Sequence, residues 1–582
     1  MKKVKTLLAK LKVSEFTQHR EINRKYVLSL DVERMLANFL AEAGMNSNVH
    51  TMPLPYGGWE HPHQQVRGNI TGHWLSASAM YVAFSNDQEM RGRLIKAIDI
   101  LEICQNENED GWLSSIPPIY LDRIARNKWV WAPIYNLHKT LMGLIDVYRY
   151  AKIEKALTLI SRLADWFLKW SEQFSYEKMQ DILDWECGGI MEAWADVYGL
   201  TGDERYKILM ERFTHYRFFE PLLEGKDALT FTHANTTIPE AHGMARAYQV
   251  TGEEKYRVFA EKYLDQALNG RDWLCTGGQN AGELWIKDFT RSDLGAQLQE
   301  HCTVYNMIRL CEYVMTWNAD VKYAEFIEKN IYNGLMAQHR LSDGMNAYYL
   351  PVGNGLQKRW TSAENDMTCC LGTTMQANAS YETRGFFESE KGLVVSQYIP
   401  SELDWQYKEN AVKVDLETEG ACCNARRPSK LVHRLKIDAQ NKTEFTLTLY
   451  IPGWSDETVV TVNGEEYCRF SGGSSSWLDI SRQWQNDVVE ILVEPKLHVC
   501  QLGKTDYYGV LYGNTVLAGI TDDDRALRGL DNENISEMIL PRASHDFAMT
   551  MRDFESDTNG KSVVFKPLRD VTDEHYTIYF KK

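Results

Sequence analysis

Four residues stand out because their types and spacing could bind a metal ion or supply a nucleophile: Glu300, Cys302, Cys369 and Cys370. Glu300 lies two residues before Cys302 in QEHCTVYN, and the adjacent cysteines precede the small, polar stretch LGTT. One carboxylate and three thiolates are a donor set that suits tetrahedral zinc. A zinc knuckle is excluded because its CxxC pairs are missing from the sequence.

The spacing of these residues sets a condition on the backbone. Positions i and i+2 of a helix do not share a face, so Glu300 and Cys302 can converge only where the chain is irregular or enters a helix. The adjacent pair Cys369-Cys370 likewise needs a turn to direct both sulfurs to one ion. The alternative is that all three are ordinary buried cysteines, a residue type common in protein cores. Spacing alone leaves both interpretations open.

The chain has 11 cysteines, an odd number spread over 582 residues. A disulfide-stapled scaffold needs a dense, even set in a short secreted chain, so that class is excluded. The other eight cysteines lack a comparable setting and are interpreted as packing residues: Cys104, Cys187, Cys275, Cys311, Cys422, Cys423, Cys468 and Cys500.

The elements that must position these residues change character near residue 387. Before it, apolar residues recur at helical spacing, as Ile160, Leu163 and Phe167 do in ALTLISRLADWFLKW. The segment VYGLTGDERYKILMERF reappears 50 residues later as AYQVTGEEKYRVFAEKY, with weaker copies in YVAFSNDQEM, VYRYAKIEKA and MTWNADVKYAEF. Each copy indicates a helix that ends at a turn and a second helix that begins. Five such helix pairs approach the six of an (α/α)6 barrel.

After about residue 390 the pattern alternates with a period of two. Phe445, Leu447 and Leu449 are separated by threonines, and Asn463-Gly464 is typical of a hairpin turn. We therefore predict a multidomain protein: an all-α (α/α)6 barrel over residues 1–387, an antiparallel β-sandwich over 388–495, and a second β-sandwich, or completion of the first, over 496–582.

The composition limits the classes of partner. Lys and Arg number 64, Asp and Glu 80, and the net charge is −16. This acidic excess argues against binding to nucleic acid or to an anionic membrane surface. The start MKKVKTLLAKLKVSEF is basic like that of a signal peptide, but Lys10 and Lys12 interrupt its apolar run. No apolar stretch of the sequence is long enough to span a membrane. The expected location is cytoplasmic, where thiols stay reduced.

The ordered motifs of the chain resemble the bacterial β-L-arabinofuranosidases of glycoside hydrolase family 127 and the related family 146. The resemblance covers essentially the whole chain. It depends on REINRKYVLSLDVERML, PYGGWE, GHWLSA, VWAPIYNLHKTLMGLIDVYRY, THANTTIPEAHGMARAYQVTGEEKY, TGGQNAGELW, EHCTVYNMIRL, YNGLMA, TCCLGTT, LYIPGW and YYGVLYGNTVLAG. The stretch LGTTMQANA after the cysteine pair departs from the patterns of the family's branches, which leaves the subfamily and the exact sugar open.

The resemblance implies a zinc-dependent cysteine glycosidase. Its zinc ligands would be Glu300, Cys302, Cys369 and Cys370, with Cys369 also the nucleophile. The acid/base residue would be Glu283 of Gly282-Glu283, which lies 17 residues before Glu300. The substrate would be a small oligosaccharide, and the assignment is compatible with a homodimer. The resemblance also implies a set of sugar contacts: His138, His233, Glu328, Tyr349 and His73.

The implied reaction is retaining hydrolysis of a β-linked L-arabinofuranose or a related sugar. Cys369 would take the place of one of the two carboxyl groups that such enzymes ordinarily use. Two other functions remain open from the sequence. One is a sugar epimerase or isomerase on an (α/α)6 barrel, and the other is a sugar-binding protein with a structural zinc and no activity.

Overall fold

The computed structural model describes residues 4–45, 53–421, 430–522, 527, 530–541, 554–556 and 563–582. Helices dominate the first two thirds of the chain. Their bounds are α1 Glu15–Ser29, α2 Val32–Glu42, α3 Asn69–Ser85, α4 Gln88–Glu107, α5 Ile119–Ala125, α6 Pro133–Ala151, α7 Lys155–Ser171, α8 Tyr176–Trp185, α9 Ile190–Thr201, α10 Glu204–Arg212, α11 Tyr216–Leu223, α12 Ala234–Thr251, α13 Glu254–Leu268, α14 His301–Met315, α15 Val321–Asn330, α16 Cys369–Asn378 and the short α17 Ile535–Met538.

Strands dominate the last third, with short ones elsewhere. Their bounds are β1 Val4–Leu7, β2 Lys10–Leu11, β3 Asn280–Ala281, β4 Leu284–Trp285, β5 Leu298–Glu300, β6 Tyr349–Leu350, β7 Phe386–Ser389, β8 Gly392–Val395, β9 Ser401–Tyr407, β10 Asn410–Ala421, β11 Lys430–Ile451, β12 Ser455–Val462, β13 Glu465–Ser471, β14 Ser476–Pro495, β15 Leu497–Gln501, β16 Tyr507–Tyr512, β17 Thr515–Ile520, β18 Ile539–Pro541, β19 Phe554–Ser556, β20 Val564–Pro567, β21 Tyr576–Thr577 and β22 Tyr579–Lys581.

Six helices contact one another in a closed ring, in the order α3, α6, α9, α12, α14, α16 and back to α3. A second helix packs against each of them: α4 on α3, α7 on α6, α10 on α9, α13 on α12, α15 on α14, and α1 on α16. This pairing is that of an (α/α)6 barrel, so the predicted helical domain is confirmed. None of the helices in the described ranges combines the length and apolarity that crossing a bilayer requires.

The repeated motifs form the turns from a ring helix to its outer partner. Gly202 and Gly252 end α9 and α12 in the left-handed conformation, at φ of 71° and 72°. Asp87 and Asp203 then cap α4 and α10 by accepting hydrogen bonds from backbone N–H groups of the first turn. Local turn chemistry therefore explains how a ring helix is joined to the outer helix that directly follows it in the chain.

The first large sheet contains β7 to β14 together with β1 and β2 from the N-terminus. Its longest strands, β11 and β14, pair antiparallel, and Asn463 and Gly464 make the β12–β13 turn with positive φ, as predicted. One pair departs from the antiparallel prediction: Gly392–Val395 runs parallel to Thr446–Leu449. The strand β8 also pairs antiparallel with β7, so it lies between a parallel and an antiparallel neighbour.

A second sheet contains the described strands β15 to β22 and has hydrophobic clusters of its own. The two sheets match the predicted β-rich part that follows the helical domain. Because Val4–Leu7 pairs with Phe386–Ser389, the first residues of the chain lie with the first sheet rather than with the helices. The exact domain boundaries stay a prediction.

Candidate metal and catalytic site

The first turns of ring helices carry the predicted metal ligands. Cys302 is the second residue of α14, and Cys369 and Cys370 are the first two residues of α16. Glu300 directly precedes α14, with φ of −58° and ψ of 131°, outside helical geometry. The chain therefore enters a helix at both places, which meets the condition that the spacing imposed. A helix N-terminus also stabilises negative charge such as that of a thiolate.

Glu300, Cys302, Cys369 and Cys370 form one buried group, here called the four-ligand cluster. Their ligating atoms all lie within 4.8 Å of one another. The sulfurs of Cys302 and Cys370 are 3.2 Å apart, and Oε1 of Glu300 is 3.7 Å from the sulfur of Cys370 and 3.9 Å from that of Cys369. Four donors of this type at these separations can hold a metal ion.

Electrostatics disfavours the ionised form of three of the four ligands in the absence of a metal ion. Burial raises the pKa values of Glu300, Cys302 and Cys370 well above their ordinary values. Burial acts against ionisation of Cys369 too, but hydrogen bonds from Cys302, Cys370 and Tyr348 bring its pKa well below the ordinary thiol value. The protein alone therefore favours a single thiolate, and ionising the other three ligands requires a positive charge between them.

Neighbouring groups hold the cluster in place. Thr303 donates from its hydroxyl to Oε2 of Glu300 at 3.1 Å, and the backbone N–H of Glu300 donates to Asn280. Three aromatic side chains, those of Trp59, Tyr135 and Tyr348, pack against the cysteines. Hydrogen bonds thus fix Glu300, and aromatic rings line the cysteines. A sugar ring can stack on such rings.

Glu283, the predicted acid/base residue, is linked to the cluster by Tyr348. Glu283 follows Gly282, whose φ is 57°, in the turn between β3 and β4. The hydroxyl of Tyr348 donates to Oε1 of Glu283 at 2.5 Å and lies 3.4 Å from the sulfur of Cys369. The sum of these distances, 5.9 Å, is the upper limit on the separation of the sulfur and that carboxylate oxygen.

His233, a predicted sugar contact, binds Glu283 from the other side. Its Nδ1 accepts the backbone N–H of Thr236 at 3.2 Å and thereby caps α12. The ring proton therefore belongs on Nε2, which donates to Oε2 of Glu283 at 3.2 Å. Hydrogen bonds from His233 and Tyr348 lower the pKa of Glu283 below its ordinary value, against the opposing effect of burial.

His138 and His73 lie on the ring helices α6 and α3, and both are buried. Nδ1 of His73 is 2.7 Å from Oε1 of Gln376, and its ring faces the backbone of Gly372, one turn after Cys369. Nε2 of His73 and Nδ1 of His138 lack a hydrogen-bond partner among the described residues. Burial, with the charge of Lys139, lowers the pKa of both histidines well below the ordinary value, so both are neutral.

The sequence identified one tyrosine of an adjacent pair and missed the other. Tyr349 does contact Glu283 through its hydroxyl. Tyr348, however, is the residue that contacts both Cys369 and Glu283. The only signal in the sequence was the adjacency of the two tyrosines, because the one that faces the site depends on how β6 pairs with β5.

Glu328 is not brought to the cluster. It lies on α15, and its carboxylate accepts hydrogen bonds from Tyr450 at 3.1 Å and Trp454 at 2.7 Å. It lines a separate cavity between the helices and the sheets, together with Tyr398 and Arg569. Its prediction as a sugar contact at the catalytic site is therefore corrected: the outer helix α15 directs this side chain to the β domain.

The nine cysteines in the described ranges are free thiols. Cys104, Cys275 and Cys311 are buried, as expected for packing residues, whereas Cys468 and Cys500 are half-buried. Cys187 is buried next to His215 and Glu240. Cys422 and Cys423 lie outside the described residues.

Comparison with known proteins agrees with this architecture. The model of the GH127 β-L-arabinofuranosidase catalytic domain matches residues 9–383, and that of the GH127 middle domain matches residues 392–494. Comparison with curated protein sequences gave no match.

Solved structures show the same fold over the whole chain. A GH127 β-L-arabinofuranosidase from Geobacillus stearothermophilus T6 superposes with a TM-score of 0.73 at 16% identity, covering 98% of this chain and 99% of that enzyme. A second structure, described as a GH127 β-arabinofuranosidase, gives 0.72 at 16% identity, covering 99% and 98%. The catalytic-domain match alone spans more than half of the sequence. The chain therefore belongs to the GH127 β-L-arabinofuranosidase family and is a glycoside hydrolase.

Proposed function

We propose that this protein is a retaining exo-glycosidase that releases β-linked L-arabinofuranose, or a related small sugar of the plant cell wall, from oligosaccharides. Cys369 is the nucleophile and Glu283 the acid/base residue. The observation that carries the proposal is the bridge through Tyr348, which limits the distance between the two groups to 5.9 Å. Retaining enzymes place their two groups about 5–5.5 Å apart, whereas inverting enzymes need about 6.5–9.5 Å to admit a water molecule.

In the first step the thiolate of Cys369 attacks the anomeric carbon and forms a C–S bond. The glycosidic C–O bond breaks, and Glu283 gives its proton to the departing oxygen. Glu283 must be protonated for this step, yet His233 and Tyr348 both donate to its carboxylate. The leaving-group oxygen must therefore take the place of one of these hydrogen bonds as the substrate binds.

In the second step Glu283, now ionised, takes a proton from water. The water oxygen attacks the anomeric carbon, the C–S bond breaks, and the thiolate of Cys369 returns to its starting state. The lowered pKa of Glu283 suits the start of this step, when the residue must be ionised to act as the base, because His233 and Tyr348 stabilise the carboxylate.

The metal that we propose for the cluster is zinc, held by Glu300, Cys302, Cys369 and Cys370. When bound, it keeps thiolates deprotonated near neutral pH. The protein itself supports this role by excluding water from the ligands and by holding Glu300 through Thr303.

We propose that His138 and His73 bind sugar hydroxyls. Neutral His138 and His73 each have one buried ring nitrogen without a partner among the described residues, which can accept a hydrogen bond from a hydroxyl. Such a contact contributes to catalysis to the extent that it strengthens toward the transition state. We propose a short oligosaccharide as the substrate, hydrolysed in the cytoplasm, where the thiols stay reduced.

The test is hydrolysis of aryl β-L-arabinofuranosides by the wild-type protein and by Cys369→Ser, Glu283→Gln and the matched control Cys104→Ser. Activity should fall by about 10²–10⁴-fold or more in the first two variants, with folding unchanged, and persist in the control. Mass spectrometry of the Glu283→Gln variant, reacted with a substrate that has a good leaving group, should show a sugar attached to Cys369. Full turnover by both variants, or an isomerised product with the glycosidic bond intact, would contradict the proposal.

A further inference from the structure

A second group of metal-binding residue types lies apart from the four-ligand cluster. Cys187, His215 and Glu240 are all buried, and their ligating atoms lie within 4.8 Å of one another. They come from three separate places: Cys187 from the turn between α8 and α9, His215 from the residue before α11, and Glu240 from the second turn of α12. A thiol, an imidazole and a carboxylate are thus brought together by the tertiary fold.

Both ring nitrogens of His215 face carboxylates. Nδ1 is 2.8 Å from Oε2 of Glu240, and Nε2 is 2.8 Å from Oδ1 of Asp184. Asp184 is itself held by Arg217. Histidines that bind metal ions through one nitrogen commonly donate the other N–H to a carboxylate, which fixes the ring and its tautomer. Asp184 can accept the N–H of Nε2 in this way, which leaves Nδ1, the nitrogen that faces Glu240, to bind the metal ion.

We propose that Cys187, His215 and Glu240 bind a second divalent transition-metal ion of the zinc type, with Asp184 orienting His215. The mixed sulfur, nitrogen and oxygen donors favour zinc-like ions, because Mg²⁺ and Ca²⁺ prefer sites made of oxygen alone. Three protein ligands leave a further coordination position open. The same contacts also suit an ion triad in which a protonated His215 lies between two carboxylates, and the experiment below separates these arrangements.

The second ion would lie beside the segment that packs against α6, and α6 carries His138. The segment from Glu186 to Gly189 packs against the start of α6: Glu186 accepts hydrogen bonds from the backbone N–H groups of Ile134 and Tyr135. A side chain at Gly189 would lie 3.2 Å from the ring of His138. An ion bound to Cys187 would therefore restrain the backbone on which His138 and Tyr135 rest, and make Cys187 a positioning residue for the sugar site.

The number of metal ions bound per chain tests the proposal directly. The full-length protein is loaded with zinc, desalted, and analysed for metal per chain by mass spectrometry. The wild type should hold about two ions, and Cys187→Ala and His215→Asn should each hold about one. Cys370→Ala should lose the other ion, and Cys104→Ala, a matched buried cysteine outside both groups, should keep two. One ion in the wild type that is lost in Cys370→Ala and kept in Cys187→Ala would overturn the second site.

Two further measurements keep the test decisive if a ligand variant fails to fold. Asp184→Asn preserves all three ligands and should weaken the second ion's affinity by about 10–100-fold. In the cobalt-loaded protein, Cys187→Ser should remove part of the thiolate-to-cobalt absorption and leave the rest. An unchanged cobalt spectrum and unchanged affinity would refute the site. Because these readouts count ions, they do not depend on whether arabinofuranosides are the substrate.

Discussion

The hydroxyl of Tyr348 donates to Glu283 at 2.5 Å, and the same oxygen lies 3.4 Å from the sulfur of Cys369. One side chain thus contacts both groups that we propose to carry the reaction. The hydroxyl gives its single proton to the carboxylate of Glu283, its oxygen can accept a hydrogen bond from Cys369, and its position limits the distance between the two groups. Replacement of this hydroxyl should therefore affect both half-reactions.

We expect Tyr348→Phe to lower kcat/KM for an aryl arabinofuranoside by about 10–100-fold. A hydrogen bond to an ionised group contributes about 1.5–3 kcal/mol, and here the hydroxyl donates to the carboxylate of Glu283. Tyr349→Phe is the matched comparison, because Tyr349 also bonds to Glu283, whereas the hydroxyl 3.4 Å from the sulfur of Cys369 is that of Tyr348. The loss of activity in Tyr349→Phe should be smaller. Equal, less than twofold effects in both variants would show that Tyr348 does not couple the two groups.

The second prediction concerns the pH dependence of kcat/KM. His233 is the largest contributor to the lowered pKa of Glu283, through the hydrogen bond from Nε2. His233→Asn keeps a residue type that caps helices well, so α12 should remain intact, but removes the long reach to Glu283. The pKa of Glu283 should rise, and because the first step needs its protonated form, the alkaline limb of the profile should move to higher pH.

The profile is measured for wild type and His233→Asn over the range in which both remain folded. A limb that stays in place while overall activity falls would mean that His233 binds substrate without controlling the proton of Glu283. A limb that moves to lower pH would contradict the assignment of Glu283 as the acid.

The helical repeats show how far sequence predicted the fold. Five helix pairs are visible as repeats because each is joined by a local turn, such as the one at Gly202. The sixth pair is α16 with α1, whose partners lie at opposite ends of the helical domain. No turn joins them, so periodicity cannot reveal this pair, and closure of the ring depends on tertiary contacts alone.

The site shows the same limit. The sequence predicts the four residues of the cluster because Glu300, Cys302 and the pair Cys369-Cys370 match motifs of the family, whereas their place at two helix starts is seen only in the structure. The sequence does not single out Tyr348 because strand register decides which of two adjacent tyrosines reaches Cys369 as well as Glu283. The surroundings of Glu328 and Cys187 are hidden from the sequence for a similar reason: the residues they meet, Trp454 and His215, are distant in sequence or lie on another element.

The third prediction concerns metal affinity. Because burial raises the pKa values of Glu300, Cys302 and Cys370, a metal ion must displace protons from these ligands when it binds. Apparent zinc affinity of the four-ligand cluster should therefore weaken as pH falls, and chelation should abolish activity until zinc is restored. Competition titrations at pH 6, 7 and 8 on the Cys187→Ala variant isolate this cluster. Affinity that does not change with pH would contradict the protonated state that we infer for the free ligands.

The fourth prediction concerns Glu328, which burial gives a pKa of about 7, well above the ordinary value of 4.5. The folded state therefore holds a proton that the unfolded state releases, so this residue's contribution to stability is full below about pH 4.5 and is lost as pH rises to 7 and beyond. Glu328→Gln can still accept from Tyr450 and Trp454 but has no charge to bury. Its free energy of unfolding relative to wild type should increase from pH 5 to pH 8, by up to about 3 kcal/mol.

Denaturant unfolding at both pH values measures this difference. The control is Glu325→Gln, at an exposed position of the same helix. KM should stay unchanged, because Glu328 faces the β domain; a large rise in KM would instead restore it as a sugar contact.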